Sequence, residues 1–421
     1  MKKIYLVYLL CFCLYNVNGQ NSNDIVFGKI DSLNSKILNE QRKIWIHVPD
    51  GDYEDPYEKK KYPVVYLLDG DDHFYSVVGM LRQLSSNGFC PKMIVVGIPN
   101  TNRTRDLTPT KGKPGLWVNS NTIANSGGGE NFMSFIQKEL IPYINSNYPT
   151  QPYRMLIGHS YGGLTVMNTL MHQPNLFDAF VAIDPSMWWD DRNLLNEIKQ
   201  NTFDEKYDKK KLFLGIANGM SEGMDILNVQ KDTTNQTQHI RAILELNTFL
   251  NKDTQKKLSY KGKYYEDDDH GSVSLITEYD AFRFIFDFYK FKTSTEEFLD
   301  PENDFLNKIV NHFIKVSKEL KTKMKPDAAF INALGYHRIN IKQPKQAEDF
   351  FKLNVANYPK SYKVYDSLGD LYAVNGDKEK AIENYKKSIS LNKGSISKNK
   401  IIELENKDSI SMDRLMEITN E

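Results

Sequence analysis

The chain has 421 residues, enough for two or three domains and for one large buried core. With 40% hydrophobic and 26% charged residues it has the composition of a globular protein, not of a disordered chain or a polytopic membrane protein. Lys plus Arg and Asp plus Glu both number 54, so there is no cationic excess for nucleic acid and no acidic excess for cations.

The first segment has the layout of an export signal. Lys2 and Lys3 precede an apolar run, Ile4 to Leu14, too short to span a bilayer, and Val17-Asn18-Gly19 suits a cut before Gln20. A lipid anchor on Cys11 or Cys13 is the weaker alternative, because bulky residues precede both. Removal of residues 1–19 leaves Cys90 as the lone cysteine, which excludes an intrachain disulfide. The mature protein is therefore expected in the periplasm or outside the cell, with no transmembrane segment.

Beyond this leader, Lys43 to Val48 alternates apolar and polar residues, the period of a half-buried strand near a sheet edge, and the charged run Asp50 to Lys61 reads as a loop. Pro63–Leu68 and Met93–Ile98 are unbroken apolar runs, as expected of strands covered on both faces. Glu130 to Ile144 carries Phe132, Ile136, Leu140 and Tyr143 at helical spacing, with Pro142 near its end. Strands at Tyr153–Ile157, Phe180–Ile183 and Lys211–Ile216 then alternate with helices at Leu164–His172 and His239–Lys252. About 250 residues of such alternation predict an α/β domain with a doubly wound, mostly parallel sheet, over residues 20–290.

The texture changes after Tyr289. Residues 291–325 read as a helical connector rich in Lys and Glu, followed by a 34-residue self-similarity over 326–393 and a helical tail over 394–421. Leu334-Gly335 recurs as Leu368-Gly369, Ala347 as Ala381 and Phe351 as Tyr385, and Pro359 closes the first unit. Small residues that let paired helices approach, with an aromatic filling the gap, resemble two tetratricopeptide repeats, and such repeats imply a protein partner or docking on the α/β domain.

The sharpest chemical signal is Gly158-His159-Ser160-Tyr161-Gly162-Gly163, directly after one strand and opening a helix. In that context G-x-S-x-G is a nucleophile elbow: the glycines stand where side chains would collide, and Ser160 is held exposed above the sheet. A serine needs a base, and in this fold base and acid follow it in the chain. Of the downstream histidines, His172 ends the helix leading away from the elbow, and His239 reads as a surface position of an amphipathic helix. His270, in the polar loop Asp267–Ser272, is the candidate base, with three adjacent acids to raise its basicity. For the orienting acid, Glu222 beyond the strand Lys211–Ile216 ranks first, then Asp225, then Asp184. The loop Asp69-Gly70-Asp71-Asp72-His73 is expected to supply an oxyanion donor, the N–H of Asp71, beside that of Tyr161. A metal site on the same loop is disfavoured because adjacent residues rarely converge on one ion.

The segments LLDGDDHF, VVGIPNTNRTRDLTPT, GHSYGG, DPSMWW and DDDHGS, in this order over residues 35–290, resemble the esterase family of α/β-hydrolases that includes S-formylglutathione hydrolases, feruloyl esterases, mycolyltransferases and siderophore esterases. The resemblance implies Ser160 as nucleophile, His270 as base, Glu222 as acid and the N–H groups of Asp71 and Tyr161 as oxyanion hole, with neither cofactor nor metal. DPSMWW departs from the more usual SPS start by carrying Asp184. Trp188 and Trp189 follow a strand end and can wall an aromatic or sugar-binding cleft or cover the core. Arg103 and Arg105 can meet an anionic acyl group, although an ion pair with Asp106 is the plainer role, and Gly127–Gly129 reads as a mobile rim loop. The expected activity is hydrolysis of a small-molecule or glycan ester through an acyl-enzyme. Acyl transfer and an inactive hydrolase fold that recruits a partner through the helical repeats are the alternatives.

Overall fold

A computed structural model of the chain describes residues 25–49, 60–252, 257–300 and 304–420. The expected export signal, with Cys11 and Cys13, and most of the charged loop (residues 50–59) lie outside the described residues. Among the described residues no helix is long and apolar enough to cross a membrane.

Among the described residues eight strands form one sheet: β1 (Lys29–Ser35), β2 (Glu40–His47), β3 (Tyr62–Leu68), β4 (Ile94–Ile98), β5 (Thr150–His159), β6 (Ala179–Ile183), β7 (Lys211–Ala217) and β8 (Ser259–Tyr265). Their order is β1-β2-β4-β3-β5-β6-β7-β8. The pairs β1–β2 and β2–β4 are antiparallel and all others parallel. The unbroken apolar runs follow from this: in β3, Val64, Tyr66 and Leu68 enter the core on one face while Val65 and Leu67 enter the core on the other. Strand β1 has no apolar period in KIDSLNS, because it is an exposed edge held mainly by its ladder to β2.

Helices α1 (Gly70–Ser86) and α6 (Val273–Ile285) cover one face. The other carries α2 (Gly129–Phe135, Ile136–Leu140 and Ile141–Asn147, running on as one helix), α3 (Tyr161–His172), α4 (Trp189–Gln200) and α5 (Gln238–Lys252). Helix α2 extends past Ile144, and its middle segment is a π-turn in which the Ile141 N–H bonds to the Ile136 carbonyl. The wider turn lies just before Pro142, which has no N–H to give the helix ladder. Cys90 is buried, and burial pushes its thiol up to about 12.

The C-terminal region is helical: α7 (Phe305–Glu319), α8 (Ala328–Asn340), α9 (Pro344–Asn357), α10 (Tyr362–Val374), α11 (Lys378–Leu391), α12 (Ser397–Glu405) and α13 (Met412–Asn420). Helix α7 joins it to the α/β domain. Val316, and Leu320 just beyond its end, pack into the sheet-side core, whereas Phe305 and Ile309 pack with Ile331, Leu334 and Phe350. In the two hairpins that follow, a glycine lies flat against an aromatic ring at the same spacing: Gly335 on Phe351 and Gly369 on Tyr385. Glycine is required at both positions, since a Cβ at residue 369 would stand 2.5 Å from the Tyr385 ring. Gly369→Ala is therefore expected to destabilise the helical layer by about 1–3 kcal/mol. Gly79→Ala, at an exposed position of α1 with nothing within 4 Å of the new methyl, is expected to stabilise by about 0.5–1 kcal/mol. Urea unfolding followed by circular dichroism reads both.

Candidate active site

The two directions of winding part between β3 and β5, and the carboxyl ends of these strands carry the two glycine-bearing turns. After β5, Ser160 adopts φ 59° and ψ −114°, a left-handed conformation that a non-glycine residue holds only when its surroundings impose it. They do so here. Its N–H donates to Ile183 O (2.9 Å), and its carbonyl accepts from the N–H groups of Leu164 (3.0 Å) and Ser186 (3.1 Å). A Cβ on Gly158 would stand 2.5 Å from the Gly162 carbonyl, and one on Gly163 would stand 2.9 Å from Pro185, so the elbow closes only with glycine at these positions. The half-buried Ser160 hydroxyl has the Ser186 hydroxyl at 3.4 Å.

After β3, Asp69 takes a left-handed conformation and α1 begins at Gly70. The Asp69 carboxylate is buried, accepting from Arg103 Nε (2.7 Å) and Nη2 (3.0 Å) and from Asn100 Nδ2 (2.7 Å). It borders the elbow: a Cβ on Gly162 would be 3.1 Å from Asp69 Oδ2. The N-termini of α1 and α3 thus lie side by side, and the N–H groups of Asp71 and Tyr161 belong to their first turns, which have no intrahelical acceptor.

The loop between β8 and α6 brings in His270, and its shape comes from its own acids. Asp269 Oδ1 accepts from the N–H groups of Gly271 (2.8 Å) and Ser272 (2.9 Å), and Asp268 Oδ1 accepts from the Ser272 hydroxyl (2.8 Å). Asn218, just past β7, donates its N–H to Asp268 O (2.7 Å) and its amide to Glu266 O (2.9 Å). The His270 ring lies with its centroid 4.5 Å from that of His159, the residue before Ser160.

The carboxylate on His270 is Asp184, not Glu222. Asp184 Oδ2 accepts from His270 Nδ1 at 2.6 Å, whereas Glu222 and Asp225 are exposed residues of the loop after β7, and Asp225 caps the turn Ile226–Val229. Position decides this. Asp184 sits at the very end of β6, between the strand of Ser160 and the strand leading to the His270 loop, and its φ of 40° turns the carboxylate across the sheet edge. Burial opposes ionisation of Asp184. Two imidazoles and the Ala217 N–H (3.0 Å to Oδ1) outweigh it and hold the carboxyl well below the usual carboxylate range.

The second imidazole is His239, which the helical pattern alone assigns to the surface. Its Nε2 lies 2.8 Å from the same Asp184 oxygen, and its ring stands edge-on to His270 with centroids 5.1 Å apart. A signal was available: a helix after a parallel strand starts at the sheet's carboxyl edge, and His239 is in the first turn of α5. His172 is exposed and pairs with Glu197 at 2.9 Å.

The pocket residues separate into two groups. Trp189 is buried, with its indole N–H on Thr110 O (3.1 Å), and belongs to the core. Trp188 is half-buried between Tyr161 (centroids 6.5 Å) and the exposed Trp117 (5.2 Å), and these three rings form a wall beside the elbow. Arg105 is taken up by Glu40 (2.8 Å) and Asp106 (2.7 Å), so it is not the free cation an anionic group would need. Arg103 is nearer the elbow, its guanidinium 5.4 Å from the Tyr161 ring. Gly127–Gly129 is tied down rather than loose: its three N–H groups donate to Thr108 Oγ1, Arg105 O and Thr108 O.

Behind these groups lies a buried acid. Glu278 of α6 is fully buried, neither carboxyl oxygen has a hydrogen-bond partner, and His73 Nδ1 is 3.9 Å away. Burial pushes its carboxyl up to about 8. The native state therefore keeps a proton that the unfolded chain releases near the ordinary carboxyl range, and stability falls as pH rises from about 4.5 and levels off above about 8. Glu278→Gln should remove this slope. In urea unfolding at a series of pH values, its advantage over the parent should grow from nothing at pH 4.5 to the order of 4 kcal/mol at pH 8 and above.

A family model described as "Putative esterase" matches residues 35–270. The siderophore enterobactin esterase of Emericella nidulans is 31% identical over 160 residues, which is 34% of this chain and 52% of that protein. The chain spans about half the length of the first curated relatives it matches. Among solved structures, an IroE-like serine hydrolase from Shewanella oneidensis is 29% identical with a TM-score of 0.61, covering 78% of this chain and 98% of its own. An uncharacterised protein from Capnocytophaga ochracea, 19% identical with a TM-score of 0.61, covers 90% of this chain and 99% of its own, and so shares the fold.

Proposed function

The chain belongs to the Putative esterase family, and from that premise we propose that it is a serine esterase with Ser160, His270 and Asp184 as its catalytic groups. The observation that carries the reading is the hydrogen bond of His270 to a buried carboxylate at the strand end beside the elbow. Asp184 holds His270 with Nδ1 as the donor, which leaves Nε2 as the base. The Ser160 hydroxyl attacks the ester carbonyl as its proton passes to His270, and the oxyanion is met by the N–H groups of Asp71 and Tyr161. Collapse expels the alcohol, which takes the proton from His270. Water, deprotonated by the same imidazole, then attacks the acyl-enzyme, and the carboxylic acid leaves. Neither metal nor cofactor enters these steps.

For the substrate, the reading is an ester with an aromatic or catecholate acyl group, as in siderophore lactones or feruloyl esters. Trp117, Trp188 and Tyr161 offer flat apolar area for such a ring, whereas Arg103, like Arg105, is already committed to a carboxylate. The curated relatives named as siderophore esterases support this class. Export to the periplasm or beyond, read from residues 1–19, belongs to the same proposal.

Ser160→Ala is expected to abolish hydrolysis of p-nitrophenyl acetate and labelling by a fluorophosphonate probe, with the circular dichroism spectrum unchanged. Asp184→Asn should lower kcat by about 10²–10⁴-fold while Glu222→Gln stays near the parent, and the opposite ranking would return the acid to Glu222. Trp117→Ala should raise KM for feruloyl or catechoyl esters by about fivefold and leave acetyl esters unaffected, as stacking on the exposed indole contributes ~1 kcal/mol.

A further inference from the structure

Asp184 is a buried anion whose partners among the described residues include no lysine or arginine. Its side-chain oxygens meet the Ala217 N–H and two imidazoles. A buried carboxylate without a cation is the less common arrangement, because its charge is then balanced only by hydrogen bonds. Here both imidazoles address the same oxygen, Oδ2, at 2.6 and 2.8 Å, and one donor atom from each of the three residues lies within 4.8 Å of the others. The set is two imidazoles and one carboxylate, a donor combination that suits zinc and its neighbours among the divalent transition metals.

We propose that Asp184, His239 and His270 form a binding site for a divalent cation of the zinc class, and that its occupation switches off the base. The inhibitory half rests on the esterase reading above, whereas the binding half does not. Three features favour the site. The Asp184 carboxylate is anchored through Oδ1 and the end of β6, so Oδ2 is fixed in direction. The His270 side chain is 46% exposed, which provides an approach from solvent. His239, 16% exposed, closes the inner side. Zinc bonds of about 2.0–2.1 Å in tetrahedral geometry set neighbouring ligand atoms about 3.3 Å apart, so His270 Nδ1 must withdraw from Oδ2 by roughly 0.7 Å and His239 Nε2 by roughly 0.5 Å, shifts of the side chains alone.

The chemistry balances without an added reactant. Zinc takes a lone pair from Asp184 Oδ2, His239 Nε2 and His270 Nδ1, and water fills the fourth position. The proton on His270 Nδ1 moves through solvent to Nε2, and the proton on His239 moves from Nε2 to Nδ1. Both rings stay neutral and no proton is released from them. His270 Nε2 then carries a hydrogen instead of the lone pair that accepts the Ser160 proton. The imidazole of His239, a hydrogen-bond donor to Asp184 in the metal-free state, thus becomes the second nitrogen ligand of a reversible off-switch.

The full chain is titrated with zinc chloride in a non-chelating buffer, with binding read by calorimetry or by competition with a chromogenic chelator. One zinc per chain is expected. Ser160→Ala should bind equally well, and His172→Ala, which removes the exposed pair with Glu197, should change nothing. His239→Gln keeps a hydrogen-bond donor for Asp184 but not an imidazole, and should weaken binding by about tenfold or more; Asp184→Asn should do the same. In the parent protein, p-nitrophenyl acetate hydrolysis should fall along the binding isotherm and return on adding EDTA, and in His239→Gln the zinc needed should rise by the same factor as the binding constant. Absence of stoichiometric binding, binding indifferent to His239→Gln, or a rate unchanged or raised in the zinc-loaded parent overturns the proposal. Hydrolysis absent even without zinc would refute the esterase reading and the off-switch with it, while the binding titration would still decide the metal site.

Discussion

The site is organised around one carboxylate. Asp184 is buried at the end of β6 and remains ionised because three N–H groups converge on it: the Ala217 backbone on one oxygen, His239 and His270 on the other. Burial alone would drive this group to hold a proton. An ionised Asp184 can orient His270, and an oriented His270 has a lone pair directed away from the carboxylate. Each N–H comes from a different part of the chain, the end of β7, the first turn of α5 and the loop after β8, so the anion is met only when all three segments have closed on the edge of the sheet.

The elbow depends on the same closure. The Ser160 N–H donates to Ile183, one residue before Asp184, and Ser160 O accepts from Ser186, two residues after it. The strained serine and the buried acid are therefore held by the two sides of one turn. Gly163 permits it, since any larger residue would push α3 away from Pro185. On the other side, Asp69 is locked by Arg103, and Gly162 lies against that carboxylate. The strain at Ser160 is thus imposed by hydrogen bonds to backbone that is itself buried.

How much of this was legible in the sequence follows from what kind of signal each part carries. Strands β3 to β7 could be read from their apolar runs because both faces are covered, and Ser160 and His270 stood out because an elbow and a polar loop have local signatures. Strand β1 could not be read, as its residues are held by backbone pairing and their polarity reports only an exposed edge. The carboxylate on His270 was ranked last of three for a different reason. Glu222 and Asp184 both follow strands, and the choice depends on which strand end faces His270 across the sheet, a lateral relation that linear spacing does not encode. His239 was passed over because helical periodicity describes the flank of a helix, whereas its role comes from being at the end.

With the carboxylate on β6, the end of β7 is free for another task. Asn218 uses its backbone and side-chain N–H groups to grip the loop carrying His270, and that loop is stiffened internally by Asp268 and Asp269. The ring of His270 is then flanked by His159 on its face and His239 at its edge. Such company would be harmful if His159 were charged, because a cation 4.5 Å away would oppose proton uptake by the base. Burial prevents this: it pushes His159 down to about 4, with repulsion from His270 and His73 adding to the effect. His159 thus stays neutral as His270 takes up a proton, and Asp184, in direct contact with the ring, supplies the compensating charge. The base thus has a buried anion in direct contact and, on its other face, a buried imidazole that adds no charge of its own.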